Sequence, residues 1–396
     1  MAQEQALKGL KVLDFTRVYS GPYCTMLLAD MGAEVIKVEA MGKGDDTRSF
    51  APIKDGASGY YTYLNRNKRS VTLNLKSEAG KKAALELAAW ADVIVENFSA
   101  GTIGKLGLGY EDVKKVNPEV IFASLSGFGQ YGPYKDKLAY DAIAQAMGGL
   151  TALSGQPEKP TKVTPALSDA ITGIHMAFAV MTAAYHKLRT GKGQLVDVAM
   201  MDTVFSVLEG SVVIRTLLGV NPQRLGNASQ IAVPYDVYKA KDGDIAIGCP
   251  NDSLFAKLAK VMGREDLLTD ERYSTNIKRV ENRDDLDAII TAWCQERNKL
   301  DIEGMLNEAR IPSAPIKTMD ELIDDPHIAA RSMLIEQEDP ILGKVKYPGN
   351  PVKLSETPAV FARSAPQLGE HNEEVLAEVL GYSADVIAAM KTNGDI

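Results

Sequence analysis

The sequence has 396 residues, 45% of them hydrophobic, and a formal net charge of −8, which leaves room for about two domains and a large buried core. The negative balance argues against a non-specific nucleic-acid or anionic-membrane binder, though not against a local basic pocket for a phosphorylated ligand. No apolar run approaches the ~20 residues of a membrane span, and the start, MAQEQALKGLKVLDF, lacks the apolar region of a leader, so a cytoplasmic protein is expected.

The first half alternates strand-like and helix-like segments. Strands are predicted at Leu10–Thr16, Val35–Glu39, Val71–Leu75, Val93–Glu96 and Val120–Ser124. Helices are predicted over Pro22–Met31, with Gly32 just past its end, and over Glu78–Trp90, with Ser77 as N-cap. Near-continuous apolar strands in a βαβα rhythm imply an α/β fold with a parallel sheet covered on both faces. Ile171–Leu188 is apolar on most faces and reads as a buried core helix. Gly191 and Gly193 break the chain, Leu195–Met200 is a further strand, and Thr203–Leu218 another helix. After Gly226 the texture changes. YDVYKAKDGDIAIG reads as a hairpin turning at Asp242-Gly243, and amphipathic helices follow around 252–262, 284–297 and 301–309. A smaller α+β domain is therefore placed at 225–325, between a large domain over 1–224 and a closing segment, 326–396, with a hairpin-like stretch and a final helix.

Cys24, Cys249 and Cys294 lie far apart, and the four histidines form no HExxH, so neither a disulfide framework nor a metal site is expected. One motif invites a cofactor reading. In SLSGFGQYGPY, Gly127, Gly129 and Gly132 follow the apolar run Val120–Ala123 at the spacing of a dinucleotide fingerprint. That fingerprint needs a helix to start at its last glycine and an acid about 20 residues on. Here a polar loop, Pro133-Tyr134-Lys135-Asp136-Lys137, follows, and Ala152 stands at the acid's place. A glycine-rich loop over a ligand pocket and a plain strand-to-helix turn remain.

Several segments together resemble the class III CoA-transferase family, the formyl-CoA:oxalate and carnitine CoA-transferase group. They include LDFTRVYSGPYCTMLLADMGAEVIKVE (13–39), GDDTR (44–48), NRNKRSVTLNL (65–75), ADVIVENFSAGTIGKLGL (91–108), SGFGQYGPY (126–134), YDAIAQAMGGL (140–150), SDAITGIHMA (168–177), GQLVDVAMMD (193–202) and PQRLGN (222–227). The likeness returns at LGEHNEEVL (368–376). The resemblance implies a Rossmann-like large domain built from both chain ends, a smaller inserted domain, and an interlocked homodimer. It implies a CoA thioester as substrate, with no permanently bound cofactor, and a small carboxylic acid as the other partner.

In that family an aspartate attacks the acyl-CoA thioester, giving a mixed anhydride and then an aspartyl-CoA thioester. Asp169 matches the nucleophile's position. On the residues alone, Ser168 or Asp169 reads equally as a helix N-cap. Tyr140 and Asp141 match a tyrosine–acid pair beside the pocket, although ordinary helix-start packing also accounts for Tyr140. Gly127 and Gly129 stand where backbone N–H groups can meet an oxyanion. Arg17 and Lys105 match CoA-binding positions, and Asn97 and Phe98 match backbone and adenine contacts. Lys137, Lys37, Lys68 and Arg69 complete the basic candidates, with plain solvation as the alternative for each lysine. Tyr19 stands where oxalate-using members carry glutamine, Ala40 replaces an arginine, and the glycine-rich loop of the small domain is reduced to IAIGCPNDSLF. PQRLGN followed by VPYDVY resembles dicarboxylate-using members. An α-methylacyl-CoA racemase is the alternative on the same fold. It carries His where Tyr140 stands, and tyrosine, with a reference pKa near 10, is a poor base at neutral pH. A non-catalytic CoA-binding protein is the third reading.

Overall fold

The computed structural model describes residues 4–396. Six short runs, mostly β-branched or apolar, form the main sheet: β1 (Lys11–Asp14), β2 (Glu34–Glu39), β3 (Lys68–Thr72), β4 (Val93–Glu96), β5 (Ile121–Ser126) and β6 (Leu195–Ala199). Their spatial order is β6-β5-β4-β1-β2-β3, and every neighbouring pair is parallel. This is the doubly wound order of a Rossmann-like sheet. Alternate residues serve opposite faces, as the pleat requires. Leu13, Ile36, Ile94 and Phe122 pack beneath the helix Glu78–Trp90 with the last two helices, Asn372–Glu378 and Ala384–Asn393. Val12, Val35, Val95 and Ala123 share the other core with α1 (Ser20–Asp30) and with Met176 and Val180 of the long helix Leu167–Thr190. The chain's end is tied to β3, where Thr72 N–H donates to Asn372 Oδ1 at 2.8 Å.

The chain divides into two compact units. The larger takes the residues up to Leu150, Val163–Leu208 and His327–Ile396; the smaller takes Thr151–Lys162 and Glu209–Pro326. The smaller unit thus begins before residue 225. Arg224 donates to the carbonyls of Ala152, Gln156 and Pro157, which fastens the 151–162 segment to it. Its three-stranded antiparallel sheet holds the expected hairpin, Tyr235–Ala240 with Gly243–Gly248, and the strand Ser313–Pro315. Helices Asp252–Met262, Arg283–Gln295 and Lys299–Glu308 close a separate core around Ile245, Leu258, Ile290 and Leu306.

Three expectations need correction. The third strand starts at Lys68, not Val71, because Lys68 is buried against Asp14 rather than solvated. The segment 203–218 is two helices, Met200–Ser206 and Ser211–Leu218, separated where Glu209 takes φ +52°. The helix Leu167–Thr190 is long and apolar enough to cross a membrane by length and composition. It is also buried on one stripe only, Ser168, Thr172, Gly173, Met176, Val180, Ala183 and Ala184, while Ile174, Phe178, Tyr185 and Leu188 are exposed.

Candidate active site

In a doubly wound sheet the connections diverge between β1 and β4, and a crevice opens beyond the strands' carboxyl ends. A cleft of about 220 Å³ lies there. Its walls are Arg17–Ser20 after β1, Asn97–Ala100 after β4, Leu125–Gly127 at the end of β5, and the Lys135–Tyr140 segment, with Asp169 and Met200.

The β1 wall is held from below by ions. Lys37 is fully buried, 2.9 Å from Asp45, and donates to the Thr16 carbonyl at 2.7 Å. Lys68 is equally buried, 3.1 Å from Asp14. Burial alone would raise the Asp14 carboxyl, but Lys68 and Lys37 hold it below the usual range, while burial pulls Lys68 down to about 8. Removing one partner of such a pair strands a charge, so the set acts as one fixture. Asp45 Oδ1 takes the Val18 N–H at 3.1 Å and keeps this β-branched residue at φ +67°, a strained conformation that only enclosing structure sustains. Asn97 completes the grip, accepting the Arg17 N–H and donating to the Arg17 carbonyl, each at 2.8 Å. Lys37 and Lys68 are therefore structural cations rather than phosphate ligands. Arg69 is engaged too, by Glu34 and by Glu374 at 2.9 Å.

Asp169 is the third residue of helix Leu167–Thr190, partly buried, where the helix dipole favours a carboxylate. The head of this helix is clamped by Asp141. Its Oδ1 accepts the Ser168 N–H at 3.0 Å and the Ser168 hydroxyl at 2.8 Å, and Gln145 Nε2 donates to both its oxygens. Asp141 is thus buried behind the cleft and does not line it. Tyr140, one residue earlier, is 70% exposed on the cleft wall.

The glycine loop divides in the same way. Gly127 lines the cleft, and a Cβ there would meet the Ala139 methyl at 2.4 Å, so only glycine lets the two walls approach. Gly129 lies outside the lining, and its N–H is spent on Ser126 Oγ at 2.9 Å. Arg17, Asn97, Phe98, Lys137 and Tyr19 line the cleft with Asp169; Lys105 is exposed and does not.

Two features escaped the sequence reading. Tyr19 stacks on Tyr23 with ring centroids 5.5 Å apart and stands 6.2 Å from Tyr60 and 6.5 Å from Tyr63. Burial pushes the Tyr60 phenol up to about 12, and the Asp169 charge adds to this, so Tyr60 lies within the field of that carboxylate. The signal was present in GYYTY (59–63) but pointed to no chemistry by itself. The second is a cleft of about 470 Å³ along the carboxyl ends of β1–β3, lined by Ala40, Met41, Leu73–Lys76 and Leu106 among others, and sharing Arg17 and Phe98 with the first. Among the described residues no group of acids, histidines and cysteines could hold a metal ion.

Residues 7–372 match CoA-transferase family III. The human succinyl-CoA:glutarate CoA-transferase is 38% identical over 392 residues, covering 98% of this chain and 89% of that protein. The succinyl-CoA:mesaconate CoA-transferase of Haloarcula marismortui is 40% identical over 386 residues, 94% of this chain and 96% of that one. Among solved structures, a CAIB/BAIF family protein from Brucella suis superposes with a TM-score of 0.85 at 36% identity, over 95% of this chain and 100% of that one.

Proposed function

The chain belongs to CoA-transferase family III, and from that premise we propose that it moves CoA between small dicarboxylic acids through covalent attachment to Asp169. One observation carries the reading: a single cleft gathers a carboxylate on a helix's first turn with Arg17, Lys135 and Lys137. A thioester of a phosphorylated carrier needs both.

An Asp169 oxygen attacks the donor's thioester carbonyl, and the CoA thiolate leaves as a mixed anhydride forms. The thiolate then attacks the aspartyl carbonyl, releases the donor acid, and leaves CoA on Asp169 as a thioester. The acceptor carboxylate attacks that thioester and expels the thiolate. The thiolate finally attacks the acceptor's acyl carbon, which restores the Asp169 carboxylate. The developing oxyanions need fixed donors, and the Gly127 turn and the Tyr140 hydroxyl are the candidates. The larger cleft is assigned to the nucleotide end of CoA, with Phe98 beside the adenine and Arg17 and Lys76 at its phosphates in place of the missing arginine at Ala40. Glutarate and mesaconate in two relatives' names, and Tyr19 where oxalate-using members carry glutamine, favour a dicarboxylate longer than oxalate, although an acetyl-CoA:oxalate CoA-transferase of Acetobacter aceti is 39% identical. The active species is inferred to be a homodimer.

Asp169→Asn keeps the helix head and should bind CoA but transfer none, because an amide forms no anhydride. Wild-type protein treated with succinyl-CoA and then hydroxylamine should be modified on the peptide carrying Asp169. Substantial turnover by the Asn variant, or an adduct elsewhere, would sink the mechanism.

A further inference from the structure

Three neighbouring strands set polar side chains side by side on one face of the main sheet. The register pairs Glu96 of β4 with Ser124 of β5, and Ser124 with Asp197 of β6. Two residues back on that face stand Ile94 and Phe122, both in the apolar core. Neither acid lines the cleft. Each reaches instead to the backbone of a loop adjoining it. Glu96 Oε2 accepts the Phe98 N–H at 2.9 Å, and Asp197 Oδ2 accepts the Gln130 N–H at 3.0 Å. The loops so held are the Asn97–Ala100 wall and the turn that begins at Gly127.

We propose that Glu96 and Asp197 are positioning residues for CoA transfer, each anchoring one wall of the cleft through a backbone N–H. The link to transfer rests on the reading of the cleft given above; the anchoring does not. Packing alone would not select these residues. Burial pushes Glu96 up to about 7, with the Asp197 charge adding to it, and burial together with Asp202 raises Asp197. Among the described residues, the charges that act on the pair are its own and that of Asp202. A leucine would cost less in the same place; Glu96 is also hydrogen-bonded to the Ser124 side chain on the neighbouring strand, and what the two acids have in common is the loop N–H that each holds.

The test uses hydrogen-exchange mass spectrometry on peptides spanning 96–101 and 126–132, beside steady-state transfer kinetics with succinyl-CoA. Glu96→Ala should raise exchange in the first peptide and Asp197→Ala in the second, each about tenfold, the loss of one hydrogen bond. Each should raise KM for the CoA ester more than it lowers kcat. Glu96→Gln and Asp197→Asn keep an acceptor oxygen and should restore both readouts. Unchanged loop exchange in the alanine variants, loosening of the whole sheet together, or failure of folded amide variants to rescue would each overturn the proposal. Should the alanine variants not fold, the amide variants still decide. Ionisation of Glu96 strengthens its hold on Phe98, so wild-type exchange there, corrected for its intrinsic pH dependence, should change around pH 7 and that of Glu96→Gln should not. The same pH response in both overturns it. If wild-type protein transfers no CoA between any acids, the functional reading fails, while the exchange measurements still report on the anchoring.

Discussion

Arg17 shows how tightly a single backbone stretch is held so that one side chain can remain available. Its neighbours are fixed by Asn97, Asp45 and the buried lysines beneath, yet its guanidinium is half exposed, 3.5 Å from Asp46 and 5.9 Å from the centre of the Phe98 ring. An exposed pair of this length contributes little, so a phosphate can take Asp46's place. Arg17→Ala is expected to raise KM for the CoA thioester roughly ten- to a hundredfold, the loss of a charge-assisted contact of about 1.5–3 kcal/mol. KM for the free acid should change little. Lys105→Ala, at an exposed side chain outside both clefts, should have much the smaller effect. Steady-state kinetics with each substrate varied in turn checks both, and equal effects on ester and acid would remove Arg17 from the phosphate site.

At the scale of elements, Asp169 is aimed by the packing of its helix on α1. Gly173, one turn further along, lies so close that a Cβ would stand 2.6 Å from the Ser20 carbonyl oxygen and 3.1 Å from the Tyr23 ring. The obstacle is partly backbone, so Gly173→Ala must push the helices apart. It should cost about 1–3 kcal/mol in a urea unfolding experiment. It should also lower kcat by up to about a hundredfold, because misplacing a reacting group by an ångström is that costly. Gly304→Ala, in open space on the helix Lys299–Glu308, is the control and should stabilise slightly. Unchanged kcat in Gly173→Ala would separate the packing from the catalysis. Local signals made much of this legible beforehand. Glu78–Trp90 and Val93–Glu96 fall where Ser77 and the apolar runs put them, and the SDAITG segment does open a helix. What escaped depends on distant partners. Lys68 enters the sheet because Asp14, 54 residues away, and the Pro22 carbonyl, 46 away, receive it together with the nearby Asn65, and the buried role of Asp141 depends on Ser168, 27 residues on. Composition around a residue does not encode such partners.

For the whole molecule the unpartnered apolar surface is the open quantity. On the helix Leu167–Thr190, Phe178 is 72% exposed, Tyr185 63% and Leu188 85%. On Ser211–Leu218, in the smaller unit, Leu217 is 76% exposed. A run of large exposed apolar side chains along one helix marks an interface with protein or lipid. The other stripe of the long helix is committed to the sheet's core, so insertion into a bilayer would require the core to be given up. A second copy, as in the proposed homodimer, would cover the exposed stripe at no such cost. Light scattering on a size-exclusion column should therefore give twice the 42.8 kDa chain mass, even at high dilution. If the two chains are interlocked, as the family resemblance implies, they cannot part without unfolding. Two differently tagged populations mixed under native conditions should then form no mixed dimers over many hours, and should form them after joint denaturation and refolding. Rapid exchange of intact subunits would leave a dimer but end the interlocking. An active monomer, or recovery of the chain in the membrane fraction, would show that the exposed stripe serves something else.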